Sequence, residues 1–146
     1  MSKVREEIDI EAPVEEVFAF FDDVGNAAVL VPALVEVTRV EELDGGGRRV
    51  EYTTRSRGGE LVEASSEHLV HDPPRRTVTR GVQSGVTTTS TREFVESTSG
   101  ATRVVATVEW SVPVKWVAGI VTAPLRGPLR RSLRASLASA KAEIEE

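Results

Sequence analysis

The sequence predicts one α+β domain, in which a seven-stranded, curved antiparallel sheet wraps around a long C-terminal helix, with two short helices after the first strand. Residues 128–146 carry an apolar stripe at three- and four-residue steps, which is typical of an amphipathic helix. Most of the chain before this stretch consists of short segments separated by turn residues, which is typical of strands. A single long amphipathic helix in such a chain must bury its stripe against the sheet.

The first strand and the two short helices follow from local patterns. Apolar and charged residues alternate over residues 4–11, which predicts a strand with one buried face. Pro13 suits the first turn of a helix, and apolar residues then recur at helical spacing as far as Phe21. Residues 27–31 predict a second short helical turn.

Six further strands follow, separated by turns rich in Gly, Pro, Asp and Ser. The predicted strands are Val35–Leu43, Arg48–Arg57, Glu60–His71, Thr77–Val82, Val86–Glu96 and Ala101–Val112. Short connections between consecutive strands favour an antiparallel sheet. Because Pro124 and Pro128 cannot continue a helix without a break, the regular helix is predicted to run from about Pro128, after a kink between Ala123 and Pro128.

Composition limits the function classes. The 146 residues form one domain, 1–146, with 40% hydrophobic and 28% charged residues, as in an ordinary globular protein. The absence of cysteine excludes disulfides, thiolate nucleophiles and Cys-ligated metals. The charged start of the chain lacks the apolar run of a signal peptide, and no run approaches the ~20 apolar residues that span a bilayer. We therefore expect a soluble, cytoplasmic protein.

Charge is distributed unevenly along the chain. Residues 1–72 carry 7 Lys+Arg against 17 Asp+Glu, whereas residues 73–146 carry 11 against 6. Much of the positive charge lies on the terminal helix, at Arg126, Arg130, Arg131 and Arg134. The favoured interpretation is a solvated helix face that complements acidic strands. An anionic-lipid or nucleic-acid patch is disfavoured because no aromatic residues interleave with these arginines.

A membrane-surface module is the weakest of the alternatives. Residues 112–125 contain no acidic residue and lead into the basic helix, so they could lie at a bilayer interface. We favour the simpler interpretation that this stretch covers the mouth of a cavity. No nucleic-acid partner is expected, and the oligomeric state stays open.

Three stretches resemble a known family. They are IEAPVEEVFAFFDDVGNAAVLVP (Ile10–Pro32), the HDPPRR turn (His71–Arg76) and the terminal PLRRSLRASLASAKAEIE. With them the whole chain resembles the START-like helix-grip superfamily (SRPBCC), in its polyketide cyclase/dehydrase-like branch. One departure is Val29-Leu30-Val31, where many relatives have a tryptophan shortly before the proline.

The resemblance implies a helix-grip fold with a deep apolar cavity between sheet and helix. Most members of the superfamily bind lipids, sterols or aromatic metabolites there, and a minority catalyse cyclisation or dehydration. Strand alternation and the helix stripe then select the residues expected to line this cavity. The candidate ligand-binding residues are Tyr52, Thr54, His68, Thr88, Ser90, Trp110, Leu129 and Leu133.

Two other polar residues stand out from the strand pattern. Glu6 falls on an apolar face, and we expect an edge position from which its carboxylate reaches solvent. Arg80 is expected to pair with an acidic neighbour at an exposed strand end. The odd spacing of His68 and His71 predicts opposite faces of a strand, so no shared metal site is expected.

The sequence shows no catalytic motif, and no cofactor is expected. The preferred function is the binding or carriage of a small hydrophobic molecule, lipid-like or aromatic, in the cavity. The alternative is a cyclase or dehydratase that acts on a polyketide-like or polycyclic substrate, with His68, Tyr52 or Glu6 as its acid or base.

Overall fold

The computed structural model describes residues 2–31, 33–56, 58–111 and 126–146. Its strands are β1 (Ser2–Ile10), β2 (Leu34–Glu42), β3 (Arg48–Arg55), β4 (Leu61–Asp72), β5 (Arg76–Gln83), β6 (Val86–Glu96) and β7 (Thr102–Ser111). Its α-helices are α1 (Val14–Asp22), α2 (Ala27–Leu30) and α3 (Arg126–Ile144). Short 3₁₀ turns cover Val24–Asn26 and Asp44–Gly46.

The seven strands form one antiparallel sheet in the order β1-β7-β6-β5-β4-β3-β2. The long helix packs chiefly along β1 and α2, and α1 packs against β6. The predicted fold class is therefore confirmed, with element boundaries within a few residues of those expected.

The packed core lies at one end of the space between sheet and helices. Phe18 and Phe21 of α1 meet Phe94 of β6 edge to face, with ring centroids 5.1 and 5.6 Å apart. Leu137 and Ala140 of α3 complete this core and are 3% and 0% exposed. Three elements that are distant in sequence thus bury their apolar faces together.

The long helix begins two residues before the predicted start. Pro128 is its third residue, and in the first turn the missing amide hydrogen would have no helical partner in any case. The predicted kink between Ala123 and Pro128 concerns residues 123–125, which lie outside the described residues, as do Trp116 and the stretch considered for membrane contact.

A bulge in β4 corrects one expectation. The pairing of β4 with β5 shifts register between His68 and Val70, and such an extra residue interrupts the alternation of faces. The rings of His68 and His71 consequently lie with centroids 5.1 Å apart. The prediction that the two histidines occupy opposite faces is therefore wrong.

Glu6 also differs from its expected environment. β1 is an edge strand, but the Glu6 carboxylate accepts hydrogen bonds from Arg130 Nη1 and Arg134 Nε of α3, each at 2.7 Å. The hydrogen bond from Arg134 is the main cause that lowers the pKa of Glu6, with the charges of both arginines adding to it. A carboxylate held ionised in this way orients the helix on β1 rather than acting as an acid.

Candidate functional site

A cavity of about 340 Å³ lies between the sheet and the first half of α3. This volume falls in the range of about 300–1,000 Å³ that is usual for small-molecule sites. Its lining comes from the end of α1 through α2 (Phe21, Asp22, Asp23, Val24, Ala27, Leu30, Val31), from the sheet (Leu34, Val37, Arg48, Val50, Tyr52, Ser66, His68, Thr77, Thr79, Gly81, Thr88, Ser90, Arg92, Val108) and from α3 (Leu129, Ser132, Leu133, Ser136).

The cavity exists because the inward side chains become small beyond the aromatic core. On β6 the inward series passes from Phe94, which is packed, to Ser90 and Thr88, which line the cavity. On the neighbouring strand Gly81 adds no side chain, and a Cβ there would lie only 2.9 Å from Thr88 Oγ1. The aromatic rings of α1 fill one end of the interior, whereas the other end keeps an open space between Tyr52, the small residues of β5 and β6, and α3.

A hydrogen bond from α3 to α2 holds the helix over the cavity. Ser136 is buried and its hydroxyl donates to the carbonyl of Leu30 at 2.6 Å. Leu133 and Leu129, about one and two turns earlier on the helix, are partly exposed and line the cavity. The two halves of the apolar stripe of α3 therefore have different roles. The second half packs the core, and the first half covers the cavity.

Six of the eight candidate residues lie together around this cavity. They are Tyr52, His68, Thr88, Ser90, Leu129 and Leu133. Thr54 does not line it: the side chain is 5% exposed, and its hydroxyl accepts a hydrogen bond from Gln83 Nε2 at 3.3 Å. Thr54 thus belongs to the packing at the end of β3. Arg80 is exposed and likewise lies away from the cavity.

Trp110 is the second candidate that does not line the cavity among the described residues. Alternation along β7 places it on the same face as Val108, which does line the cavity. Its ring, however, lies at the start of α3, with the Arg126 guanidinium carbon 5.9 Å from the ring centroid. Arg126 also donates to the carbonyl of Lys3 at 2.6 Å. The expected cavity position of Trp110 is therefore replaced by a cation–π contact at the helix end.

His68 is fixed by a backbone contact at the start of β3. A Cβ on Gly47 would lie 2.8 Å from His68 Cβ, so glycine is needed for this close approach. The amide of the next residue, Arg48, then donates to His68 Nδ1 at 3.0 Å. Because Nδ1 accepts, the proton of the neutral ring is on Nε2, and His68 is a hydrogen-bond donor to the cavity.

Burial first, and then the charges of His71, Arg48 and Arg92, lower the pKa of His68, while Asp22 opposes them. The imidazole is therefore neutral at neutral pH. Burial also raises the pKa of Tyr52, so the phenol keeps its proton and can donate. Both groups present N–H or O–H donors to whatever occupies the cavity.

Comparison with known proteins agrees with this architecture. A family model described as polyketide cyclase / dehydrase and lipid transport matches residues 1–145. The chain belongs to this family. No curated protein is significantly similar to it in sequence.

Solved structures similar to this family member include several with the same fold. A Thermus thermophilus protein superposes with a TM-score of 0.78 at 18% identity, covering 97% of this chain and 96% of that chain. The ZhuI aromatase/cyclase from a Streptomyces species gives 0.78 at 21% identity, covering 98% and 93%. The di-domain ARO/CYC BexL gives 0.76 at 22% identity, covering 99% of this chain and 50% of that one. At these identities the likeness concerns the fold alone.

One charged residue in the cavity wall, Arg92, is not among the eight candidate residues. Arg92 lines the cavity from β6, with its guanidinium carbon 5.1 Å from the centroid of the Phe21 ring. The same alternation that placed Ser90 inward also places Arg92 inward, so the signal was available. Burial lowers the pKa of Arg92 to about 10, which still leaves it cationic at neutral pH.

The described residues do not meet the requirements of a metal site or of a membrane-spanning helix. Within them, no cluster of three or more His, Asp or Glu side chains has an arrangement suited to a metal ion. No described helix combines the length and the apolarity needed to cross a membrane.

Proposed function

We propose that the protein binds and carries a small hydrophobic molecule, lipid-like or aromatic, in the cavity between the sheet and α3. The observation that supports this proposal is the cavity itself, about 340 Å³ beside the packed core that the described residues form. Protein interiors are normally filled to crystal-like density, so a space of this size is the feature that needs a ligand to explain it.

The chemistry of the lining supports an apolar ligand with one polar end. Leu129 and Leu133 form an apolar roof, and Val50 and Val108 contribute apolar surface from the sheet. Hydroxyl groups such as that of Ser90 can hydrogen-bond to a polar group of the ligand but do not require the ligand to have one. The family description, which names lipid transport beside cyclase and dehydrase chemistry, agrees with this choice.

The test is to fill the cavity by substitution. Ser90→Phe places an aromatic ring in the space, whereas Thr89→Phe adds the same ring at the adjacent position, which does not line the cavity. We expect the parent and Thr89→Phe to bind the neutral probe N-phenylnaphthylamine saturably, as followed by fluorescence. At 100 times the dissociation constant, the probe should add about 2.7 kcal/mol of apparent stability. Ser90→Phe should lose both effects.

Absence of saturable binding in the parent would contradict the proposal. Equal binding by Ser90→Phe and the parent would also contradict it, because the probe would then occupy another surface. Native mass spectrometry of the purified protein adds a second measurement, since a carrier should retain a co-purifying ligand.

His68 is the observation that favours the alternative, a cyclase or dehydratase acting on a polyketide-like or polycyclic substrate. A neutral imidazole in the wall of the cavity that Tyr52 also lines is a group that could move a proton at an activated carbon. Because Nδ1 accepts from the Arg48 amide, His68 would act as an acid or hydrogen-bond donor through Nε2. Turnover of such a substrate by the parent, lost in His68→Asn with binding retained, would establish the enzyme in place of the carrier.

A further inference from the structure

The charged side chains that line the cavity differ in whether they have an interaction partner within the protein. Asp22 is engaged by two partners, with its Oδ1 3.5 Å from Arg48 Nη1 and 3.0 Å from His71 Nε2. Asp23 is exposed, and its Oδ1 accepts the Gly25 amide at 2.8 Å. Two carboxylates and one of the two arginines therefore have their interactions satisfied within the protein.

Arg92 is the exception. Among the described residues, no carboxylate lies within ion-pairing distance of its guanidinium, and burial is the only cause that displaces its pKa. Its register partners on β5 and β7 are Thr77 and Ala106, neither of which carries a charge. One face of the guanidinium lies over the Phe21 ring. A cation in such surroundings is costly unless a counter-charge arrives.

The position of Arg92 defines where that counter-charge would bind. On β6 Arg92 lies between Phe94, in the packed core, and Ser90, in the cavity wall. It therefore occupies the inner end of the cavity. His68 lines the same small void beside it, as does Asp22, whose carboxylate is already engaged by Arg48 and His71. Because His68 Nδ1 accepts from the Arg48 amide, the proton of the neutral His68 ring is on Nε2. The apolar roof of Leu129 and Leu133 extends away from this end.

We propose that Arg92 is the anion-binding residue of this cavity and that the bound molecule is a hydrophobic monocarboxylic acid, with its carboxylate on Arg92 and its apolar part beneath Leu129 and Leu133. This inference rests on the proposed binding function. A guanidinium matches a carboxylate with two parallel hydrogen bonds. Since the cavity offers one uncompensated cation, a monoanion gives a neutral pair, whereas a phosphate dianion would leave a buried negative charge.

The experiment compares acids with neutral molecules of the same shape by isothermal titration calorimetry at neutral pH. Decanoate is paired with decan-1-ol, and naphthoate with naphthol, so that aliphatic and aromatic ligands are both covered. Decyl phosphate tests the dianion. The proteins are the parent, Arg92→Met, Arg92→Lys and the control Arg49→Met, in which the replaced arginine is exposed and away from the cavity.

We expect the parent and Arg49→Met to bind at least one acid more tightly than its neutral partner and than decyl phosphate. Arg92→Met should weaken acid binding about 10- to 100-fold, as for loss of a charged hydrogen bond, and change the affinity for the neutral partner by less than about threefold. Arg92→Lys should keep a preference for the acid. The preference should persist at high salt, because a buried pair is little screened.

Three results would overturn the inference. They are a parent that prefers the alcohols to the acids, an Arg92→Met variant that binds the acids as tightly as the parent, and a parent that prefers decyl phosphate to decanoate. In each case saturable binding of the neutral molecules would leave the proposed binding function standing. If no neutral or acidic probe binds to the parent, the proposed function fails and this inference fails with it. The parent comparison needs no variant, so it decides even if Arg92→Met does not fold.

Discussion

The interior beneath α3 has two halves that differ in how they are filled. In the core half, Phe94 of β6 and Leu137 of α3 are packed among the aromatic rings of α1, and Leu137 is 3% exposed. In the cavity half, Ser90 of β6 and Leu133 of α3 occupy equivalent positions four residues away and line open space. The same strand and the same helix thus build a close-packed core at one end and a cavity at the other.

The difference shows that side-chain size, rather than the polarity pattern, separates the two halves. The inward face of β6 is continuous in its alternation, but its residues shrink from an aromatic ring to hydroxyl side chains. Helix α1 supplies rings only to the core half, because its buried face ends at Phe21. Wherever neither large strand residues nor α1 reaches, the helix stripe has nothing to pack against and becomes the roof of the cavity.

The largest expected effect is a difference in unfolding free energy between alanine substitutions of two leucines that lie one turn apart on α3. Leu137→Ala should cost about 2–5 kcal/mol of unfolding free energy, because it opens a hole in a packed core. Leu133→Ala should cost less than about 2 kcal/mol, because part of that side chain already faces the cavity. Urea denaturation of both variants measures the difference.

The helix propensity of the two substitutions is the same, so each leucine is the control for the other. Equal costs at the two positions would show that the cavity half is as closely packed as the core half, and the comparison would fail. A larger effect at Leu133 would reverse it.

The next effect concerns the lone cation of the cavity half. Burial lowers the pKa of Arg92 to about 10, and a shift of this size corresponds to roughly 3 kcal/mol of cost to the folded state. The contact with Phe21 offsets part of that cost. Arg92→Met should therefore stabilise the ligand-free protein by about 1–3 kcal/mol, as measured by urea denaturation at neutral pH.

The pH dependence of the stability difference between the parent and Arg92→Met tests whether burial of the Arg92 cation is its cause. Above pH ~10 the unfolded state binds more protons at this arginine than the folded state, so the parent gains stability relative to the variant as pH rises there. The advantage of Arg92→Met should thus be constant at neutral pH and shrink above pH ~10. A variant less stable than the parent at neutral pH would mean that Arg92 is compensated within the protein.

Sequence reasoning reached the fold because each element carries its own periodicity. The alternation of β6, the stripe of α3 and the turns between strands are local signals, and they gave the architecture and six residues of the cavity wall. Arg92 follows the same inward alternation as Ser90 and Phe94, so its place in the cavity wall is predictable from the sequence. Its missing counter-charge is visible only in three dimensions.

Other features could not be read from local periodicity. The bulge after His68 changes which face His71 occupies, and nothing in the alternation of β4 marks it. Gly47 lies in a glycine-rich turn, and the sequence does not show that its missing side chain lets the chain approach His68. Trp110 follows the inward pattern of β7, but Arg126, sixteen residues later, covers it at the helix end. Each of these depends on a contact between elements that are distant in sequence or on an interrupted register.

The smallest expected effect is the change in stability with pH that is due to His68, in the wall of the cavity half. It tests whether this wall excludes water as the core half does. Burial lowers the pKa of His68 below its usual 6.5, so below that pH the unfolded state gains a proton before the folded state does. The folded protein therefore loses stability as pH falls from about 6.5 through the lowered value.

His68→Asn keeps an acceptor for the Arg48 amide but cannot titrate. The stability difference between parent and variant, measured by urea denaturation, should be constant above pH ~7.5 and should move in favour of the variant as the pH falls below ~6.5. Titrating groups that do not interact with His68 are shared by the two proteins and cancel. Parallel curves over the whole range would mean that water reaches His68 freely, and the cavity half would then be an open cleft rather than a ligand site.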